Sequence, residues 1–231
     1  MKLFLNRMYF LVSALVFTAS VTHAQVTVPP GGEINVPSGG NMNLGCNSLI
    51  VQGNFNVNGG QVSGAGGVNI NTGGTVDAGS GSIVVSGNWS NSGNFVPGTG
   101  TVTFTDGCAT GNIVISGQSS FNNLSLTSTS GLTFVVPAGS NITVTGTLTL
   151  QGTSGQPISL VSSSGQTAII NLGPNATVVN NNTNINNVQI GSPVPASIPT
   201  LSEYGLMALA SLMLMLAYRQ KKRIASNTAR K

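Results

Sequence analysis

Few side chains between residues 25 and 197 could do chemistry. The stretch contains three acids, Glu33, Asp77 and Asp106, and no lysine, arginine or histidine. A carboxylate-based glycoside hydrolase needs two acids flanking the bond that it cleaves. If the chain forms stacked repeats of about 30 residues, Asp77 and Asp106 could lie on adjacent layers, because they are separated by about one repeat. No acid has an acidic neighbour in the sequence, and we interpret all three as solvent-facing turn residues.

Other kinds of active site lack the residues that they need. Without histidine in this stretch, a Ser–His nucleophile is unavailable, and a lyase would have no basic side chain to abstract a proton. The segment Gly73–Asp77 lacks the third glycine of the calcium-binding nonapeptide, and no His/Cys cluster has zinc spacing. We therefore predict no catalytic residue, no metal site and no cofactor, and we expect a protein that is not an enzyme.

Cys46 and Cys108 are the only two cysteines in the sequence. An even pair in an exported protein indicates one disulfide, here closing a loop across about two repeats. Two free thiols are the alternative, because sequence does not show whether the Cα atoms come within bonding reach.

The charges are segregated at the two ends of the chain. Charged residues make up 5% of the sequence and the formal net charge is +4, but all eight lysines and arginines lie outside residues 25–197. A nucleic-acid-binding protein needs cations to displace the counterions of phosphate. The composition of the central stretch therefore excludes that class.

Short runs of alternating apolar and polar residues, separated by Gly or Asn pairs, predict β-strands throughout the central stretch. Four pentads there share an aliphatic first residue, Val or Ile third and Gly fifth, and they follow one another at nearly equal intervals. They are LIVQG at Leu49–Gly53, IVVSG at Ile83–Gly87, IVISG at Ile113–Gly117 and ITVTG at Ile142–Gly146. The shift that lays the first pentad on the second also places Phe55 on Trp89, an aromatic match.

This spacing predicts stacked repeats of about 30 residues. Equivalent residues on adjacent layers of a parallel stack lie about 4.7–4.9 Å apart, so like charges would repel whereas Asn, Ser and Thr can form ladders. The lack of charge thus favours an all-β, right-handed parallel β-helix, with the handedness taken from the general preference for right-handed crossovers. A β-sandwich and low-complexity drift without a true repeat are the alternatives.

The phrases GNWSNSGNFVPGTGTVTFTDG, FNNLSLTSTSGLTF and ITVTGTLTLQG look like the repeats of secreted bacterial β-helix proteins. The likeness covers roughly residues 49–152. Its motifs are loose, so it supports the fold and implies no particular activity.

The amino end has the features of a secretory signal peptide. Lys2 and Arg7 precede a short apolar run, and Thr22-His23-Ala24 ends in a small residue. We predict that signal peptidase cuts between Ala24 and Gln25, with a retained anchor as the alternative.

The carboxyl end combines a short motif, an apolar run and a basic cluster. IPTLSEYG at Ile198–Gly205 is followed by uncharged residues through Tyr218. We predict one transmembrane helix starting near Pro199, because a bilayer span needs about 20 residues. The cations that would stop the helix on the cytoplasmic side are Arg219, Lys221, Lys222 and Arg223.

Motif, helix and basic tail together resemble the IPTL-CTERM protein-sorting domain of Gram-negative bacteria, with Tyr204 replacing the tryptophan usual in that family. The resemblance implies recognition by an exosortase-type membrane peptidase and transfer of the body towards the cell surface. A permanent membrane anchor is the alternative. By this resemblance, the sorting motif consists of Ile198, Pro199, Thr200, Leu201, Ser202, Glu203, Tyr204 and Gly205.

Together these patterns predict three segments: a signal peptide over residues 1–24, a β-helix body over 25–197 and a sorting signal over 198–231. We expect an exported surface or matrix protein with a structural or adhesive role. It would be held transiently at the cytoplasmic membrane before sorting, and could associate with extracellular polysaccharide. The alternative is a β-helix protein that binds or acts on carbohydrate.

Overall fold

The chain folds as a three-faced β-solenoid followed by one helix. A computed structural model describes residues 25–109, 111–191 and 201–228. Most turns of the solenoid place one strand segment on each face, and the first face counts eight turns. The predicted signal peptide over residues 1–24 lies outside the described residues.

Three long strands bend round a corner and contribute to two faces each: β6 (Gln61–Ile70), β8 (Ser82–Asn91) and β11 (Ile113–Phe121). The other strands of the first face are β1 (Gln25–Val28), β4 (Ser48–Val51), β13 (Thr133–Val136), β16 (Ile158–Ser162) and β19 (Thr183–Asn186). Those of the second face are β2 (Glu33–Asn35), β5 (Asn54–Asn56), β7 (Thr75–Asp77), β9 (Asn94–Val96), β14 (Asn141–Val144), β17 (Ala168–Leu172) and β20 (Val188–Ile190). Those of the third face are β3 (Asn41–Asn43), β10 (Thr101–Phe104), β12 (Asn123–Thr127), β15 (Thr147–Gln151) and β18 (Thr177–Asn181).

Every pair of named strands in the described residues is parallel. On the third face, for example, Val102 pairs with Leu124 and Leu124 with Leu148. Parallel pairing between strands one turn apart is the defining feature of a β-solenoid. The predicted parallel β-helix is therefore confirmed as a class, and its right-handedness stays a prediction.

The predicted repeat length is wrong for most of the stack. Val51 pairs with Ile70, and Ile70 in turn with Asn91, so the first turns are only about two thirds as long as predicted. Only near the carboxyl end does a turn reach the predicted length, between Thr147 and Thr177. Phe55 therefore stacks on Val76 and not on Trp89.

The four pentads are also not layered on one another. Those starting at Leu49 and Ile113 lie on the first face, whereas those starting at Ile83 and Ile142 begin on the third and second faces. Each pentad marks a strand segment that leads into a glycine corner, and β8 and β11 continue through that corner. Such strand segments have similar sequences on every face. The pentad pattern therefore aligned segments that do not stack on one another.

The alternation in each strand points one set of side chains into a continuous apolar core. Leu49, Val68, Trp89 and Ile115 occupy consecutive layers of one inward row, and none is more than 3% exposed. Burial of each such side chain contributes about 1.5–3 kcal/mol.

Candidate functional site

Asp106 is held by a ring of hydrogen-bond donors from the next turn. Its Oδ2 accepts bonds from the Thr129 N–H at 2.8 Å, the Ser130 N–H at 3.0 Å and the Ser128 hydroxyl at 3.0 Å. The hydroxyls of Thr129 and Ser130 also donate to it, at 3.1 and 3.0 Å. Burial alone would raise the pKa of this carboxyl, but the bonds from Thr129, Ser130 and Ser128 outweigh it and hold the pKa well below its usual value.

A carboxylate bound in this way is a weak base and a hindered nucleophile. Its negative charge is already stabilised by several donors, so taking up a proton would cost the energy of those bonds. Asp106 therefore acts as a structural acceptor that ties one turn to the next.

The structure does not bring the three acids together. Asp77 lies on the second face, where its Oδ1 accepts a bond from the Gly79 N–H at 2.8 Å. Glu33 lies on the same face two layers earlier, where its Oε1 accepts a bond from Asn56 at 3.0 Å. Asp106 comes directly after β10, a strand of the third face. Asp77 and Asp106 therefore do not stack on adjacent layers. Among the described residues, no group of three or more His, Cys, Asp or Glu side chains could hold a metal ion.

Cys46 and Cys108 form a disulfide, with their Cα atoms 5.5 Å apart, which confirms the predicted pair. Cys46 lies between β3 and β4, and Cys108 lies three layers further along the same corner, between β10 and β11. Three layers correspond to about 14 Å along the stack. The crossing loop, which comprises residues 105–109 and 111–112, therefore folds back over the two intervening corners.

The intervening corners have no side chains where the layers meet. A Cβ on Gly87 would collide with the backbone of Gly66, and a Cβ on Gly66 would collide with the backbone of Cys46. In the crossing loop, a Cβ on Gly107 would lie 3.2 Å from the Ser86 hydroxyl, so the loop lies directly over this corner. Glycine here permits both the stacking and the disulfide.

A buried polar cluster in the core was not predicted from the sequence. The Trp89 indole N–H donates to the Ser119 hydroxyl at 2.9 Å, and the Asn91 amide donates to the same oxygen at 3.1 Å. Trp89 also packs edge-on against Phe95, with ring centroids 5.0 Å apart. Trp89 is the sequence feature that could have indicated such a cluster, because a buried indole N–H needs an acceptor. The predicted repeat aligned Trp89 with Phe55, which is not its neighbour in the stack.

The outward surface of the third face is uncharged and mostly polar, with Val84 and Val179 in the same outward row as Thr103 and Thr149. In-register rows carry hydroxyl side chains on successive strands, among them Thr103, Ser125 and Thr149. All six aromatic side chains between residues 25 and 191 are buried, so stacking of a sugar on an aromatic ring has no candidate on the solenoid surface; they are Phe55, Trp89, Phe95, Phe104, Phe121 and Phe134.

The carboxyl segment contains the helix α1 (Leu201–Thr228). Within the described residues, no helix combines the length and the apolar character needed to cross a membrane, so the predicted transmembrane helix is not found. The longest uncharged stretch of α1 covers residues 204–218. At 1.5 Å per residue this part measures about 22 Å, against a hydrocarbon core of about 30 Å.

The family model described as the IPTL-CTERM motif matches residues 196–223. The chain carries an IPTL-CTERM motif. Neither a curated protein nor a solved structure matched the chain.

The IPTL-CTERM motif and the solenoid are consecutive in the chain. The last strand, β20, ends at Ile190, and the matched segment begins at residue 196. Residues 198–200 of the predicted sorting motif lie outside the described residues, whereas Leu201 begins α1. In the basic cluster that ends the IPTL-CTERM motif, the side chains of Arg219 and Lys221 are exposed. A sorting system of the exosortase type is the partner that this motif implies.

Proposed function

We propose that this protein is an exported, non-enzymatic component of the cell surface or extracellular matrix of a Gram-negative bacterium, delivered through its IPTL-CTERM motif. The observation that carries the proposal is the match to that motif over residues 196–223, directly after the solenoid. An exosortase-type peptidase would recognise Ile198–Leu201 and separate the solenoid from the basic tail. Signal peptidase, acting between Ala24 and Gln25, would process the other end.

The solenoid has properties that suit an extracellular structural role. Its disulfide between Cys46 and Cys108 belongs to an oxidising compartment. Its three acids lie apart, and the Oδ2 of Asp106 already accepts several hydrogen bonds. These features support a scaffold in preference to a hydrolase.

Processing is tested with the full chain in a host that has an exosortase-type system, with detection by an antibody against the solenoid. Alanine substitution of Ile198–Leu201 should leave the chain at full length and retained in the cell, while the unchanged protein becomes shorter and reaches the surface. The matched control is alanine substitution of residues 226–228, which lie beyond the matched segment and should not alter processing. Equal size and location of all three proteins would contradict the sorting proposal.

Binding of an extracellular polysaccharide is the second candidate, and the outward hydroxyl rows of the third face favour it. A chain of sugars could hydrogen-bond to Thr103, Ser125 and Thr149, which follow one another at the spacing of the layers. Saturable binding on a glycan array that is lost in the Thr103→Val/Thr149→Val variant would support this candidate. Binding unchanged by that substitution would remove the third face as the site.

A further inference from the structure

The carboxyl end of the solenoid exposes residues from the apolar core rows. Val178 pairs with Leu148 and Ile185 pairs with Leu160, and both partners are fully buried. Val178 is nevertheless 42% exposed and Ile185 is 41% exposed. The inward rows of the core therefore continue to an end that no described residue covers.

The edge strands at this end lack the usual protection against pairing with another chain. Proteins commonly place charged residues or proline on exposed strand edges, because free N–H and C=O groups are a template for a further strand. From Thr177 to Ile190 the sequence contains neither a charged residue nor a proline. Each of the strands β18, β19 and β20 pairs with one strand of the preceding layer, and no described residue pairs with its outer edge.

The amino end presents the opposite edge of the same architecture. Its first strand, β1, begins at Gln25, the residue that the predicted signal cleavage would leave first. Val26 and Ile34 there are only half-buried, although they pair with the buried residues Leu49 and Phe55. No described residue therefore covers Val26 and Ile34 at this end, whereas Val28 in the same layer is fully buried.

We infer that the two ends bind one another in different copies of the chain, so that solenoids stack head to tail. On two faces the strand lengths match, since β19 and β1 on the first face have four residues each, and β20 and β2 on the second face have three. On the third face β18 has five residues and β3 has three. Such a contact continues the parallel ladders and covers Ile185 with Val26 of the next copy. A heterologous contact of this kind does not close, so it produces a linear fibre. Cleavage by signal peptidase and by the exosortase-type peptidase frees the two ends, so the inference rests on the proposed function.

The experiment starts from the full chain, exported and purified, with a specific protease site replacing residues 192–195. Cleavage after folding removes the sorting segment without requiring an exosortase. We expect sedimentation velocity and negative-stain electron microscopy to show multimers that lengthen with concentration, as single-width rods. A cleaved protein that stays monomeric at every accessible concentration would overturn the inference. Because no sorting enzyme is involved, that result would leave the proposed sorting function untouched.

Two end variants distinguish head-to-tail stacking from tail-to-tail pairing. Ile185→Asp introduces a charge at the carboxyl end, and Val26→Asp does so at the amino end. An unpaired carboxylate in an apolar contact should raise the dissociation constant by more than about tenfold. Each variant alone should be monomeric, whereas an equimolar mixture should form one-to-one dimers through the intact ends. Dimers of Val26→Asp alone would show tail-to-tail pairing and overturn the inference.

Matched controls come from neighbouring outward positions. Val179 is 43% exposed, close to the value for Ile185, but it pairs with the outward residue Thr149. Thr27 is an exposed neighbour of Val26. Val179→Asp and Thr27→Asp should therefore assemble like the unchanged protein. Circular dichroism of every variant shows whether the solenoid has folded, and dimer formation in the mixture independently requires that both variants are folded.

Discussion

Cys46 and Cys108 are joined although the strands that precede them lie three layers apart in the stack. The bond is possible because the crossing loop returns over corners made of glycine. It closes a loop with a sequence separation of 62 residues. The solenoid is thus fastened across its first turns by a covalent link that runs along the stacking direction.

Removal of this link should lower the stability of the solenoid. We expect Cys46→Ser/Cys108→Ser to reduce the free energy of unfolding by about 2–4 kcal/mol, because the unfolded chain gains conformational freedom. Guanidinium titration under non-reducing conditions measures the change. Addition of a reductant should lower the stability of the unchanged protein to that of the variant and leave the variant as it is. A variant as stable as the unchanged protein would show that the link does not restrain the unfolded chain.

Asp106→Asn should destabilise the solenoid and reduce its sensitivity to acid. The substitution removes the charge that accepts bonds from Ser128, Thr129 and Ser130, at an expected cost of about 1–3 kcal/mol. The pKa of Asp106 is lower in the folded state than in the unfolded state. Its contribution is therefore present above about pH 4 and is lost as the pH falls further.

The pH dependence is measured by denaturant titration between pH 2 and pH 7. The unchanged protein should lose more stability below about pH 4 than Asp106→Asn does. Asp77→Asn is the control, since the carboxyl of Asp77 accepts a bond from the Gly79 N–H of its own loop and does not tie two turns together. Parallel stability curves for the unchanged protein and Asp106→Asn would contradict the assigned role.

Ser119→Ala should cost about 1–3 kcal/mol, since it leaves buried donors on Trp89 and Asn91 without their acceptor. Tryptophan fluorescence follows the change directly, because the indole N–H loses its partner. Ser120→Ala alters a half-buried neighbour on the opposite side of the strand and should change stability by less than about 0.5 kcal/mol. Equal effects of the two substitutions would show that the buried cluster contributes nothing specific.

Gly60→Ala should destabilise the stack because adjacent layers leave no room for a Cβ. A Cβ on Gly60 would lie 2.6 Å from the carbonyl oxygens of Val36 and Pro37, which are backbone atoms and cannot turn away. We expect a loss of about 1–3 kcal/mol in thermal or denaturant unfolding. Gly111 has open space around the position of a Cβ, and Gly111→Ala should be nearly neutral. A neutral Gly60→Ala would mean that the corner can widen without cost.

The stacking register is where sequence reasoning and structure differ most. Alternation correctly indicated that residues such as Leu124 and Leu126 point inward, because period-two geometry is a property of each strand alone. It carried no information about which strand lies below. The sequence match of Phe55 with Trp89 compared strands on different faces, whereas the real layers place Trp89 between Val68 and Ile115.

The positions of the acids also depend on the stacking register, which the sequence did not reveal. A separation of about one predicted repeat made Asp77 and Asp106 plausible neighbours, but layers of unequal length place them on different parts of the solenoid. The donors around Asp106 come from the following turn of the solenoid, and no local sequence motif predicts them. The sequence does not distinguish an acid exposed in a turn from one that accepts hydrogen bonds from the next turn.

The sequence by itself determined the class of the fold, the cysteine pair and the carboxyl-terminal motif. Each depends on composition or on residues that are close together in the chain. Only the tertiary structure decided which strands stack, how the crossing loop reaches Cys46, and that no described residue covers the exposed core positions at either end. These features depend on the number of residues in every corner, because each added residue shifts all later layers and no local pattern records the accumulated shift.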